Sequence, residues 1–377
     1  MRLQRDSYAP KSCAFDAANV QFLRAHLCKS HPVLQQFAPG TRAQAPKRVQ
    51  TAKIRGFVLS FSFVCLPMAV PGERKPIDSS AVLTTVVLCA LWGLQQTAIK
   101  AAAGEISPML QVALRSGIAA LLVLLAVRFV IKDPWNPAVR FADCLKVGIG
   151  FTLEFFFVSE GLRFTSAAHM SVLLYTAPLF AAVGLSLKLP EERLSPLQWL
   201  GVLIAFTGIA VAFLVPALTG DQPRSSGDLW WLGDLLGLGS GISWGLTTYF
   251  MRTTTMNTAA PSQMLFWQLL AAFVFLITTA LCTGQTTFSP ALTGWSSFIF
   301  QTFFVSFASY LVWCRLLRTY LAARLGVLVF ATPLFGVLFG VLILGEEVGW
   351  PFVTGSVCVL AGIILVQGAL KFFRRRH

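Results

Sequence analysis

Glu154 sits in GIGFTLEFFFVSEGLRFTS, a run in which its nearest neighbours are apolar or small on both sides. A carboxyl is costly to keep in such a stretch, which makes it a functional candidate: it is the residue best suited to load and release a proton. The alternative is a structural carboxyl, bonded to a neighbouring segment or to Arg115. Arg115 lies in the equally apolar ISPMLQVALRSGIAALL. It could pair with a substrate or a carboxylate, or extend its long side chain back to an interface. Glu160 and Arg163 stand three positions apart, a helical spacing that suits an ordinary surface pair.

Two stripes add polar and aromatic groups. Trp92, Gln96 and Lys100 recur every fourth residue, and so do Trp244, Thr248 and Arg252. On helices each set lies on one face, as a packing stripe or as the wall of a cavity. His169, Tyr175 and Thr176, with Gln301 and Tyr310, are further candidates to line an interior; His169 and Thr176 are seven apart and share a face. No Ser-His-Asp set, phosphate loop or metal cluster is legible. The eight cysteines form no CxxC, and the four histidines, His26, His31, His169 and His377, are scattered. These patterns point away from an enzyme, a cofactor and a metal site.

The elements that must hold these residues are written twice. YTAPLFAAVGLSLKLPEERLSP begins at Tyr175 and FATPLFGVLFGVLILGEEVGWP at Phe330; Pro178 to Glu191 and Pro333 to Glu346 are both 13 positions. The offset is 155 residues here and 152 between Trp92 and Trp244. Apolar stretches at 81–103, 108–131, 141–163, 165–188 and 195–216 are followed by five more at 232–253, 261–283, 293–317, 320–344 and 350–372. With 55% hydrophobic and 12% charged residues and a mean hydropathy of +0.69, this is a membrane chain. The expected fold is all-α integral membrane, with ten transmembrane helices as two inverted five-helix repeats, because an odd number of crossings makes the second copy enter from the opposite side. Residues 78–218 form the first repeat and 228–372 the second.

Loop charges set the orientation. With both termini cytoplasmic, sixteen Lys and Arg face inward and three, Lys100, Arg163 and Arg224, face outward. Glu191 and Glu192 then lie inside and Glu346 and Glu347 outside, each pair ahead of the helix that follows it, where a carboxylate is favoured. Pro178 and Pro333 fall within helices and are expected to act as hinges.

The formal charge of +14 is concentrated in residues 1–75, which hold twelve Lys or Arg against three acids. They carry no pattern of a nucleic-acid module, so no nucleic acid is expected as a partner. Residues 1–77 read as a disordered basic tail, with Met68 as the alternative start.

LCALWGLQQTAIK, EGLRFTSAAHMSVLLYTAPLFAAV, LPEERLSPLQWLGVLIAFTGIAV, PLFGVLFGVLILGEE and AGIILVQG, taken in order, resemble EamA-type transporters of the drug/metabolite transporter superfamily. The resemblance covers about residues 78–372. It implies a central cavity and the export of small metabolites, amino acids or related compounds and drugs, from bacteria. The chain departs from the pattern in its long tail and in Pro190, where glycine is usual. The expected partners are a small-molecule metabolite, protons and the lipid bilayer, and the expected place is the bacterial plasma membrane. A non-transporting structural or signalling protein and a lipid-modifying enzyme are the alternatives.

Overall fold

The computed structural model describes residues 78–131, 134–190, 193–219, 229–320, 325 and 328–373. Residues 1–77 with Met68, and Lys132, Glu191, Glu192, Arg224, Arg324 and Arg374 to Arg376, lie outside them. The described chain is helical: α1 (Ser79–Ala101), α2 (Pro108–Ala126), α3 (Phe141–Gly161), α4 (Ala167–Leu174), α5 (Ala177–Lys188) and α6 (Pro196–Thr219), then α7 (Trp230–Thr253), α8 (Pro261–Cys282), α9 (Leu292–Ile299), α10 (Tyr310–Thr319), α11 (Ala331–Leu344) and α12 (Trp350–Phe373). Wider π turns at Val127–Ile131 extend α2, and others at Phe300–Ser309 join α9 to α10.

Local sequence explains the boundaries. Pro108, Pro196 and Pro261 open their helices, where no backbone bond is lost by the missing N–H. Asp78 caps α1 by accepting from Ala81 N at 2.7 Å, and Ser166 caps α4 by accepting from His169 N at 3.0 Å. Gly345 ends α11 at φ 64°, with Glu346 N bonded back to Gly340 O at 3.2 Å, a left-handed cap that glycine adopts without strain. The matching position after α5 is Pro190, whose ring fixes φ near about −65°. The two turns therefore differ.

Among the described residues, six helical segments are long and apolar enough to cross a membrane: Ser79–Ala101, Pro108–Ile131, Ala167–Lys188, Pro196–Pro216, Pro261–Cys282 and Leu292–Trp313. Ala331–Leu344 and Trp350–Val366 are shorter apolar helices. α3 falls outside both sets because it carries Asp143, Lys146, Glu154 and Glu160, and α7 because its glycines, serines, threonines and tryptophans, with Asp234 and Arg252, lower its hydropathy. The surface is apolar, with Leu121, Leu203, Phe129 and Leu342 exposed, while Arg115, Glu154, Gln111 and Gln301 are buried. That distribution suits a hydrocarbon surround, in which polar groups face the bundle interior.

Helices in equivalent positions of the two halves meet each other. α6 packs on α12 and α2 on α8, while α1 packs on α11 just as α7 packs on α4 and α5. The α6–α12 seam is backbone to backbone: a Cβ at Gly355 would stand 2.6 Å from Gly208 O, and one at Gly201 would stand 2.8 Å from Gly362 O. Small residues at both points let the helices approach this closely, the usual way helices associate when lipid supplies no hydrophobic drive.

The proline motif interrupts the regular course of its helices. The backbone turns at Tyr175 and Thr176, so Pro178 lies in the first turn of α5, and Pro333 likewise lies in the first turn of α11 after the turn at Phe330. The reason is steric, since a proline ring clashes with the carbonyl four residues back in a continuous helix.

Candidate functional site

Arg115 is buried, 1% exposed, so it does not reach back to an interface. α2 delivers it one and a half to two turns below Pro108. There its Nη1 donates to Gln301 Oε1 at 3.3 Å, and its guanidinium lies 4.7 Å from the centre of the Phe155 ring. Gln301 is the first side chain that the π turns after α9 carry inward. Its Nε2 donates to Gln111 Oε1 and Ser297 Oγ, both at 2.8 Å, and Gln111 in turn bonds Ile106 O at 2.7 Å and Ile99 O at 3.1 Å. This chain fixes Gln301 Oε1 toward Arg115 and ties α2 to the segment after α9.

Glu154 is also buried, and it interacts electrostatically with Arg115 and Tyr310, yet it forms no ion pair with Arg115. Its Oε2 has no hydrogen-bond partner, and neither has Arg115 Nε. A structural carboxyl bonded to a neighbour, one of the two sequence expectations, is therefore not what is seen. A carboxyl and a guanidinium share one buried interior with hydrogen-bonding capacity left over, which is costly unless something else occupies it during function.

Aromatic rings of the two halves also meet one another. Tyr175, at the break between α4 and α5, meets Trp244 edge-on at 5.1 Å. Trp92 lies 6.4 Å from Tyr310 and 5.5 Å from Trp313, and its Nε1 donates to Ser309 Oγ at 2.8 Å. The Trp92 and Trp244 stripes thus place their tryptophans against tyrosines of the opposite half. Gln96, one turn along α1 from Trp92, is buried with Oε1 unpartnered.

Other candidates lie elsewhere. Thr176 Oγ1 bonds Leu173 O at 2.6 Å within the α4–α5 turn, and Thr248 Oγ1 bonds Trp244 O at 3.1 Å along its own helix. His169 is at the far end of α4, where its Nδ1 faces Asp234. Lys100 leaves its stripe to pair with Glu346 at 3.2 Å. Glu346 does not sit over the start of α12. It crosses to the opposite half and accepts from Ala167 N at 2.7 Å and Ala168 N at 2.9 Å, over Gly340, where a Cβ would strike its Oε2. Asp234, Gln111, Thr165 and Phe155 were missed because their partners are remote in sequence. The only signal was that Asp234 is an acid within an otherwise apolar, glycine-rich helix.

The two ends of the bundle are also tied across the halves. At one end Glu105 accepts from Ala291 N and Gly294 N, both at 2.7 Å, and Glu160 accepts from Gln285 Nε2 at 2.6 Å. At the other, Asp143 accepts from Thr255 Oγ1 at 2.8 Å and from Lys146 and Arg140, while Asn136 exchanges bonds with Gln263. In this conformation the polar centre lies between two stitched ends.

An all-helical bundle with an apolar exterior, matching halves and buried polar residues at its centre defines a multi-pass membrane protein. The model of the EamA-like transporter family matches it twice, at residues 79–214 and 231–367, and the chain belongs to that family. It is a membrane transporter. The uncharacterized transporter YvbV of Bacillus subtilis is 25% identical over 79% of this chain and 95% of its own. The uncharacterized transporter YoaV of the same organism is 23% identical over 78% and 98%. A protein of known crystal structure aligns with 80% of this chain and 100% of its own at a TM-score of 0.55; at 19% identity that likeness concerns the fold alone.

Proposed function

We propose that the protein is a secondary active exporter of a small metabolite, an amino acid, a related compound or a drug, working by alternating access in the bacterial plasma membrane. In this reading ten transmembrane helices form two inverted five-helix repeats, residues 78–218 and 228–372, with both termini cytoplasmic. The Lys100 end faces outward. The observation that carries the reading is the exchange packing of the halves, α1 on α11 as α7 on α4 and α5, around a centre where Glu154 Oε2 and Arg115 Nε are buried and unpartnered. Rocking of one half against the other would open that centre to each side in turn.

Arg115 and Glu154 supply opposite charges for the substrate, Trp92, Tyr175, Trp244 and Tyr310 its walls, and Gln301 the fixed acceptor that orients Arg115. Glu154 is the candidate for proton coupling. The breaks ahead of Pro178 and Pro333 are the candidate hinges, since each falls where a helix already lacks continuous backbone bonding. No cofactor is required in this scheme.

Untargeted metabolomics of the medium from cells with and without overexpression tests the proposal, with Glu154→Gln and Arg115→Ala chains expressed alongside. The expected result is a compound that accumulates outside cells making the native chain and not outside those making either variant. Identical media in all cultures would refute export.

A further inference from the structure

A second buried polar cluster occupies the Lys100 end, apart from Arg115 and Glu154 and built from both halves. Its hub is the start of α4. Asp234, from α7, accepts from Thr165 Oγ1, and its two oxygens lie 2.9 and 3.1 Å from His169 Nδ1. Glu346, from the turn after α11, accepts the Ala167 and Ala168 N–H groups. Lys100, from α1, pairs with Glu346 and donates to Thr165 O at 2.6 Å. The His169 ring stacks on Phe352 of α12 at 3.6 Å and 6°. Its Nε2 is buried without a partner.

We propose that His169 and Asp234 form a proton-binding site that latches this end of the transporter shut. The carboxylate facing Nδ1 holds the ring hydrogen on that nitrogen, so a further proton has one place to go, Nε2. Charge gives the reason to bind it. Two buried carboxylates, Asp234 and Glu346, face one ammonium, Lys100, and a protonated His169 makes the cluster neutral. Among the described residues the other elements around α4 supply no balancing charge: α11 faces it with Gly336 and Gly340, and α12 with Phe352. Nearby at this end, Glu160 is held by Arg163 at 2.7 Å and by Gln285, and Glu105 by Ala291 and Gly294.

Loss of the proton leaves a surplus negative charge in a buried site joining α4 to α7 and to the turn after α11. Parting of those elements to admit water relieves it. Protonation therefore closes this end, and deprotonation frees it to open. The inference rests on the transporter reading for why an end should open, but its test reads protonation and exposure, so it can fail while export stands, and the reverse.

A chain carrying His26→Gln, His31→Gln and His377→Gln keeps His169 as its one histidine. In lipid nanodiscs, nitrogen NMR of the labelled ring between about pH 5 and 8 reports its protonation. Hydrogen exchange of residues 163–170 and 229–236, corrected for the intrinsic effect of pH, reports opening. The expected result is exchange in both segments about tenfold slower once the ring carries its second proton. Asp234→Asn should lower the midpoint by about one pH unit or more, because it removes the opposing charge. Glu346→Gln, which keeps an acceptor for α4, should lower it too and serves if the first variant does not fold. A ring that stays neutral, exchange that ignores its titration, or a midpoint that neither substitution moves overturns the proposal.

Discussion

Glu346→Ala removes the contact that joins the end of α11 to the start of α4. The side chain is 4% exposed and accepts two backbone hydrogen bonds, at 2.7 and 2.9 Å, beside Lys100 at 3.2 Å. A hydrogen bond to a charged group contributes about 1.5 to 3 kcal/mol, so the pair contributes about 3 to 6 kcal/mol. Ser166 cannot replace it, because its hydroxyl already accepts from His169 N. The Lys100 share is small. That side chain is 28% exposed and keeps its bond to Thr165 O, so the ion pair itself adds about 1 kcal/mol or less. The expected cost of Glu346→Ala is about 3 to 5 kcal/mol, as for other buried pairs that lose one partner. Glu346→Gln keeps one acceptor oxygen and should cost about half as much, and Lys100→Met about 1 kcal/mol. Titration of the purified protein from mild detergent into SDS, followed by circular dichroism, measures all three. If Glu346→Ala costs no more than Lys100→Met, the carboxylate is not holding α4 and the reasoning fails.

In vesicles loaded with the exported compound, Glu154→Gln is predicted to abolish the dependence of flux on a proton gradient, and full retention would remove Glu154 from coupling. Pro178→Ala and Pro333→Ala should each slow transport by allowing the broken helices to become continuous; unchanged rates in both would discard the hinges. Gly355→Leu should disrupt the α6–α12 seam, at a cost of at least about 1 to 3 kcal/mol for the overpacked contact. Gly104→Ala, at a site with no atom within 4 Å of the added carbon, should leave the same SDS titration unmoved.

The sequence made the helical membrane fold legible because twenty-residue apolar stretches and their bounding prolines act locally. The same holds for the matched halves, since Trp92 and Trp244, like Pro178 and Pro333, can be aligned without knowing where they lie in space. Contacts were harder. Glu346 was assigned to the helix that follows it, because proximity in sequence was the only guide, whereas the left-handed turn at Gly345 and the space over Gly340 send it across to α4. His169 looked solitary because Asp234 is 65 residues away. The turns at Tyr175 and Phe330 were not legible, since a sequence shows that proline disturbs a helix but not where the chain turns before it.

The α6–α12 seam has a consequence for how the chain can be assembled. Gly201 meets Gly362 while Gly208 meets Gly355, and each contact is the other with the halves exchanged, which is the signature of a two-fold surface between identical subunits. Such a surface recognises its partner without help from a covalent link. Residues 220–228, GDQPRSSGD, join the two halves in the sequence. Cutting the gene there and making the two pieces from separate messages should still yield one working complex, with the seam bringing the fragments together.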